Sequence, residues 1–298
     1  MGKKFHGIIP VITTAMDEDG NILEPPIRQL VDHVIEKGAH GVAGVGEGSG
    51  FHKLSVNERL RLTEITLEQV NGRVPVMIGT SANNVPEAIL FTRAARDNGA
   101  DAVFIMPPYL ARLRDDQVLD FYRRIADAVD IEIVVQDNLM PGGGGSLSVP
   151  LIVQLVAEIP SITYIKEENP PTGPKISQIV RELGGRVSVI SGNGGKRILN
   201  DLARGVVGCM PGSVAVAGLV QVYEAYVCGD IDRAYDVFER IYRVIWFNSE
   251  HYGPATPEIL RRKGIFPTNY VRPPCAPPLD NVDHQELARL MARAGDLV

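Results

Sequence analysis

Residues 131–168, IEIVVQDNLMPGGGGSLSVPLIVQLVAEIPSITYIKEE, hold the repeating unit from which the fold follows. A β-rich run, Ile131–Gln136, leads into a helical pattern at 149–158 and then a second β-rich run, Ile162–Lys166. The same alternation extends in both directions. Upstream, Gly7–Thr13 (GIIPVIT) precedes Ile27, Leu30, Val31, Val34 and Ile35, spaced as one buried helical face. Pro25 and Pro26 suit that helix's first turn and Gly38 its end. Gly41–Gly46 enters a glycine-rich loop and a helix opened by a Ser55/Glu58 capping box and stopped at Gly72. Val74–Thr80, Ala102–Met106, Val187–Ser191 and Val206–Met210 complete the β-runs, with helical patterns near 86–98, 115–129, 174–183 and 195–203. Such alternation predicts parallel strands joined by right-handed crossovers. An open doubly wound sheet uses the same units, but eight repeats favour a closed (β/α)8 TIM barrel, which takes ~250 residues. Residues 1–213 are expected to form the barrel. Residues 214–298 read as a helical C-terminal extension, interrupted around Pro273, Pro274, Pro277 and Pro278. No linker separates the two, so they are expected to fold as one unit.

The 298 residues are 45% apolar and 22% charged, with a net charge of −6. That acidic balance argues against nucleic acid and anionic membranes as partners, since both favour basic surfaces. No apolar run approaches the ~18 residues of a membrane span. The start, MGKKFHGIIPV, is too short and proline-broken in its apolar part for a signal peptide, and His6 stands where a myristoylation motif takes Ser or Thr. Cys209, Cys228 and Cys275 form no CxxC, and the histidines at 6, 33, 40, 52, 251 and 284 form neither HxH nor HExxH. The expectation is a cytoplasmic protein acting on a small molecule without a metal.

Barrel enzymes place their chemistry at the C-terminal ends of the strands. Four such segments stand out: GEGSG (46–50), PPY (107–109), VVQDN (134–138) and YIKEE (164–168). Ile162, Tyr164 and Lys166 alternate, so they are expected on one face of the sixth strand with Lys166 last. Facing inward, the amine is desolvated at an apolar barrel mouth, which disfavours the ammonium. A free lysine of pKa ~10.4 is neutral about once in 2,500 molecules at pH 7, and a pKa of roughly 7–8 recovers most of the nucleophile. The alternative is a surface lysine paired with Glu167 or Glu168.

GTSANN (79–84), PPY (107–109), YIKEE (164–168), SGNGG (191–195) and GCMPGS (208–213), together with VRPPCAPPL (271–279), resemble the dihydrodipicolinate synthase/N-acetylneuraminate lyase family. The resemblance covers essentially the whole chain. It implies a (β/α)8 barrel, commonly a homotetramer, whose sixth-strand lysine forms a Schiff base with a 2-keto acid and which takes no other cofactor. By that resemblance Lys166 is the nucleophile. Gly46, Gly48 and Ser49 fall on the loop that holds the keto acid's carboxylate, and Asp137, Gly192 and Met210 fall at substrate-contacting strand ends. Tyr109 matches a family tyrosine that carries a proton or reaches a neighbouring subunit's site. Its alternative is a packing role at the barrel rim.

The chain also departs from the family pattern. Glu47 replaces the hydroxyl residue of the proton relay, and Gln136 replaces the fifth-strand tyrosine that serves as acid/base. Glutamine orients a hydroxyl or a water but cannot cycle a proton near pH 7. The arginine of dihydrodipicolinate synthases is missing from 139–146, where a Gly142–Gly145 run stands instead. These losses argue against the lysine-biosynthetic condensation. Glu47 is expected either to take over part of the relay or to turn outward as a solvated loop residue. The expected activity is a dehydratase or aldolase acting on a 2-keto-3-deoxy sugar acid. Two other readings stand beside it. A phosphosugar enzyme draws on Gly192–Arg197 (GNGGKR), which resembles a phosphate cradle but lacks the GxxxxGK[ST] spacing. A regulatory barrel would bind keto acids without turnover. The apolar stripes at Leu119, Tyr122, Ile125 and Ala126, and at Val244–Trp246, read as core or subunit contacts.

Overall fold

A computed structural model describes residues 5–138 and 145–298. Residues 139–144, which hold most of the glycine run and of the arginine-free loop, lie outside the described residues. Eight parallel strands run in chain order: β1 (Gly7–Ile8), β2 (Val42–Gly44), β3 (Val76–Gly79), β4 (Ala102–Ile105), β5 (Glu132–Asp137), β6 (Ile162–Glu167), β7 (Ser188–Ser191) and β8 (Gly208–Cys209). They pair in the order β1-β8-β7-β6-β5-β4-β3-β2. The ring closes through Val11, which bridges Ala43 on one side and Gly212 on the other. Ile12 N donates to the Ala43 carbonyl at 2.8 Å, and Ala43 N to the Pro10 carbonyl at 3.0 Å. β1 is short for a chemical reason. The amides of residues 7, 9 and 11 donate towards the β8 side, and Pro10, facing β2, has no N–H to give.

Among the described residues eight helices cover the barrel: α1 (Glu24–Glu36), α2 (Val56–Val70), α3 (Val85–Asp97), α4 (Asp115–Ala128), α5 (Val149–Glu158), α6 (Thr172–Leu183), α7 (Ile198–Leu202) and α8 (Val216–Val227). The capping box forms: Ser55 N donates to Glu58 Oε2 at 2.7 Å and Glu58 N to Ser55 Oγ at 3.3 Å. α7 begins later than its pattern suggests, because Asn193, Gly194 and Gly195 have φ of 52°, 67° and 81°. Those left-handed conformations cannot continue into an α-helix. α8, the first helix after residue 213, packs against β1 and α7 and supplies the eighth helix of the barrel layer. The added helices are therefore α9 (Ile231–Glu250), α10 (Ala255–Arg262) and α11 (Asn281–Ala294). No helix among the described residues is long and apolar enough to cross a membrane.

The apolar residues form two cores. Ile9, Val11, Met77, Phe104, Val134, Tyr164 and Met210 fill the barrel interior, and a larger cluster lies between sheet and helices. Of the stripes read from the sequence, Tyr122 is fully buried and donates its hydroxyl to the Ile105 carbonyl at 2.7 Å, whereas Trp246 is exposed. One inference from alternation is corrected. Ile162 belongs to the outer cluster and Tyr164 to the inner one, because the β5–β6 register shifts between Ile133 and Val134, placing Ile162 and then Tyr164 opposite successive residues. The extra residue reverses the parity of β6 below Tyr164. The C-terminal segment is buckled to the barrel mouth by Arg272, which pairs with both carboxylate oxygens of Glu58 (2.7 and 2.9 Å) and donates to the Lys53 carbonyl at 2.8 Å. This bidentate contact holds the Glu58 carboxyl at a pKa of about 2.

Candidate active site

Lys166 lies opposite Gln136 of β5 and Ile190 of β7. Its residue is 4% exposed, and Nζ sits 5.6 Å from the centroid of the Phe104 ring. Tyr164, two residues earlier, seals the interior beneath it by accepting a hydrogen bond from Phe5 N at 3.0 Å. Lys166 is thus an interior lysine. It is also paired, as the alternative reading had it, with Glu168: Nζ lies 2.9 Å from Oε2.

Glu168 is the residue that sequence reasoning left out of the site. It is 7% exposed, and the structure fixes it from three sides. Gln136 Nε2 donates to Oε2 at 2.7 Å, Asn193 N donates to Oε1 at 3.0 Å, and Asn193 Nδ2 donates to the Glu168 carbonyl at 3.1 Å. A Cβ at Gly192 would overlap this carboxylate. Gln136 and Gly192, expected to act on substrate, therefore serve instead to seat Glu168, and neither lines the cavity. The two-residue period carried the missed signal, since Tyr164, Lys166 and Glu168 share one parity.

Glu47 turns inward rather than out to solvent. Its Oε2 accepts a hydrogen bond from Asn138 Nδ2 at 2.7 Å. Burial, and secondarily the Glu168 charge, raise its carboxyl above the usual range, against smaller opposing effects of Lys166 and Asn138. Gly48 lines the cavity beside it. Ser49 does not serve as expected: its hydroxyl donates to the Ile12 carbonyl at 2.5 Å, and its amide donates to the Gly46 carbonyl at 3.0 Å. Gly46 N in turn donates to Ser49 Oγ at 3.2 Å. Gly46 is glycine for packing, because a Cβ there would lie 2.9 Å from Val11 Cγ1 and 3.1 Å from Phe104 Cζ.

Asp137 is also corrected. Odd by one from Gln136 and Asn138, it points to the outer face, is 0% exposed, and pairs with Lys175, which also lies 3.4 Å from Glu167. Two carboxylates share one ammonium there. Burial first, then the Asp137 charge, raise Glu167 to about 9. The folded protein therefore keeps a proton that the unfolded chain releases above its ordinary carboxyl pKa, so this group's contribution to stability falls as pH rises from about 4.5 to about 9. Glu167→Gln, which keeps a donor towards Asp137 and removes the titration, should melt above wild type at about pH 9, with the difference shrinking towards about pH 5. Thermal denaturation at the two pH values checks this; a difference independent of pH would show that Glu167 is ionised in the fold.

Tyr109 stands away from Lys166. Its ring packs edge-on against Phe51 at 5.8 Å, its amide donates to Asn83 Oδ1 at 2.9 Å, and it does not line the lysine's cavity. Burial raises its phenol, with the Arg59 guanidinium opposing. Met210 does line the cavity, as an apolar wall.

The lysine's cavity measures about 280 Å³, near the lower end of the ~300–1,000 Å³ usual for small-molecule sites. Besides barrel residues it is walled by Asn248 and Ser249 of α9, Tyr252 of the turn that follows, and Thr256 of α10. Through Thr13, Glu47, Gly48, Tyr252 and Thr256 it adjoins a second cavity of about 410 Å³, between the 48–53 loop and residues 270–276. No periodicity in the tail points to these residues, because their approach to the mouth depends on how α9 and α10 dock. Among the described residues no group of His, Cys, Asp and Glu could hold a metal. Chemically, the arrangement offers an interior amine, a carboxylate in contact with it, and a second carboxyl pushed towards its protonated form.

Comparison with known proteins adds three findings. A model of the dihydrodipicolinate synthetase family matches residues 4–294. The chain is 32% identical over 266 residues to an L-2-keto-3-deoxyarabonate dehydratase of Azospirillum brasilense, covering 88% of this chain and 85% of that protein. It is 34% identical over 242 residues to a 4-hydroxy-tetrahydrodipicolinate synthase of Pelobacter propionicus, covering 77% and 78%. The fold matches that of a 4-hydroxy-tetrahydrodipicolinate synthase of Methylacidiphilum fumariolicum SolV, with a TM-score of 0.90 at 24% identity over 99% of this chain and 97% of that one.

Proposed function

Since the chain belongs to the dihydrodipicolinate synthetase family, we propose that it is an imine-forming lyase that removes water from a 2-keto-3-deoxy sugar acid. The observation that carries this reading is the interior Lys166 flanked by two inward carboxyls, Glu168 at 2.9 Å and Glu47 held by Asn138. Glu168 takes a proton from the Lys166 ammonium, and the amine attacks the C2 carbonyl. The resulting carbinolamine loses its hydroxyl as water, with the proton returned by Glu168, and leaves an iminium. The iminium nitrogen is an electron sink, so Glu168 can remove a C3 proton to give an enamine. The enamine then expels the C4 hydroxyl as Glu47 protonates it, and hydrolysis of the conjugated iminium restores the lysine. Gly48, lining the cavity beside Glu47, is the residue assigned to the C1 carboxylate. The imine is the only covalent group required, and no separate cofactor enters.

Water loss is favoured over condensation because a carboxyl, Glu47, stands where the family resemblance expects a hydroxyl, because Gln136 and the arginine-free 139–146 segment lack the groups expected for the condensation, and because one relative is a dehydratase of such an acid. The same reading carries a homotetramer. Tyr235, Tyr242 and Trp246, exposed on one side of α9, are the surface that supports subunit contact.

A panel of 2-keto-3-deoxy sugar acids, scored for water loss and for pyruvate release, tests the assignment. Water loss is expected, with no condensation of pyruvate and aspartate semialdehyde. Pyruvate release would make the enzyme an aldolase, and trapping without any turnover would favour a regulatory barrel. With an acid that turns over, Glu47→Gln should lower kcat by ~10²-fold while Lys166 stays trappable by borohydride. A near-wild-type rate would remove Glu47 from the relay.

A further inference from the structure

Lys196 also lines the Lys166 cavity, and the chemistry above does not use it. It closes the GNGGK run after β7, and its Nζ contacts Ser249 Oγ of α9 at 2.7 Å. No carboxylate lies within ion-pair distance of it among the described residues, whereas Lys166 is matched by Glu168. The remaining acid of the cavity, Glu47, is hydrogen-bonded to Asn138 and disposed to hold a proton. Lys196 is therefore a cavity cation that no carboxylate pairs with among the described residues. Beside Lys196, Thr256 Oγ1 donates to Asn248 Oδ1 at 2.7 Å, which fixes that carboxamide's oxygen end, and its NH₂ group makes no hydrogen bond among the described residues. An ammonium and a hydroxyl in contact, together with an amide donor from the same helix, thus line one cavity. A substrate joined to Lys166 at C2, with its C1 carboxylate at the Gly48 loop, has its tail left to reach these groups.

We infer that Lys196, with Ser249 and Asn248, forms a subsite for an anionic group at the far end of the substrate, either a second carboxylate or a phosphate. This rests on the imine reading only for the placement of C2. It narrows the substrate class from sugar acids in general to those bearing a charged tail. The shortness of the residues 193–195 turn gives no helix terminus for anion binding, so the side chains carry the recognition.

The test compares binding of four probes by calorimetry to wild type and Lys196→Met: pyruvate, 2-oxohexanoate, 2-oxoadipate and 2-keto-3-deoxy-6-phosphogluconate. Wild type should bind the charged-tail acids ~10–100-fold tighter than 2-oxohexanoate, as one charge-assisted contact allows. Lys196→Met should erase that preference and leave pyruvate binding unchanged. Whichever of 2-oxoadipate and the phosphorylated acid binds tighter identifies the anion. Three results would overturn the subsite: no preference for a charged tail, no binding of the charged-tail acids, or an equal loss for pyruvate, which would place Lys196 at the common C1 carboxylate. Borohydride labelling of the same samples scores the imine separately. Tail preference without a label at Lys166 would sink the imine and leave the anionic subsite standing.

Discussion

Incubated with pyruvate and borohydride, the protein should gain the mass of the reduced ligand on the peptide carrying Lys166, and Lys166→Ala should gain none. The physical basis is position. Of the lysines at this end of the barrel, Lys166 alone projects from an interior strand face onto an apolar floor, with Glu168 at 2.9 Å to relieve it of a proton. Lys175 is engaged by Asp137 on the outer face, and Lys196 by Ser249. Loss of the covalent nucleophile removes the electron sink as well as the bond, so turnover of a sugar acid should fall by at least ~10⁴-fold. Lys166→Ala leaves Glu168 buried without its cation, so folding is verified by circular dichroism and thermal melting. Lys166→Met, close in volume, provides a second variant. A label on Lys175 or Lys196 in wild type would overturn the assignment.

Glu168→Gln should lower kcat by ~10²–10⁴-fold, the span associated with one acid/base group. Glutamine keeps the shape and the contact with the Asn193 amide but cannot take the lysine's proton or the C3 proton. Its NH₂ end then faces the Gln136 and Lys166 donors that Oε2 accepts in the wild type, so a residue that only positions Lys166 would also lose rate, but with an unchanged pH profile. If Glu168 cycles protons, the limb of the kcat profile that reports its ionisation should disappear. Imine trapping should slow and still go to completion at high pH, where hydroxide deprotonates the amine. A wild-type rate with an unaltered profile would move the base role to Glu47.

Gln136 separates the two kinds of information. Its place at the end of the fifth strand was legible from the local pattern, whereas its register opposite Lys166 is set by the β5–β6 pairing. Its lack of acid/base capacity follows from its chemistry. That it donates to Glu168 could not be read from the chain, since the contact joins residues 32 positions apart. Asp137 shows the opposite error. Matching by strand end placed it at the substrate, whereas parity alone puts it outside, where it meets Lys175. Glu168 and Asn138 obey the same parity and were within reach of that rule.

The sequence by itself determined the β/α alternation, the parallel barrel and the Ser55 cap, and it put Lys166 at the end of the sixth strand. Each of these depends on short-range periodicity or on capping chemistry. Only the tertiary structure decided that Glu47 faces in, that Ser49 is spent on its own loop, that Tyr109 stands away, and that α9 and α10 bring Ser249 and Tyr252 to the mouth. Those outcomes depend on which distant backbone and side-chain groups meet. A hydrogen bond such as Asn138 to Glu47, 91 residues apart, is set by closure of the barrel and has no counterpart in local pattern.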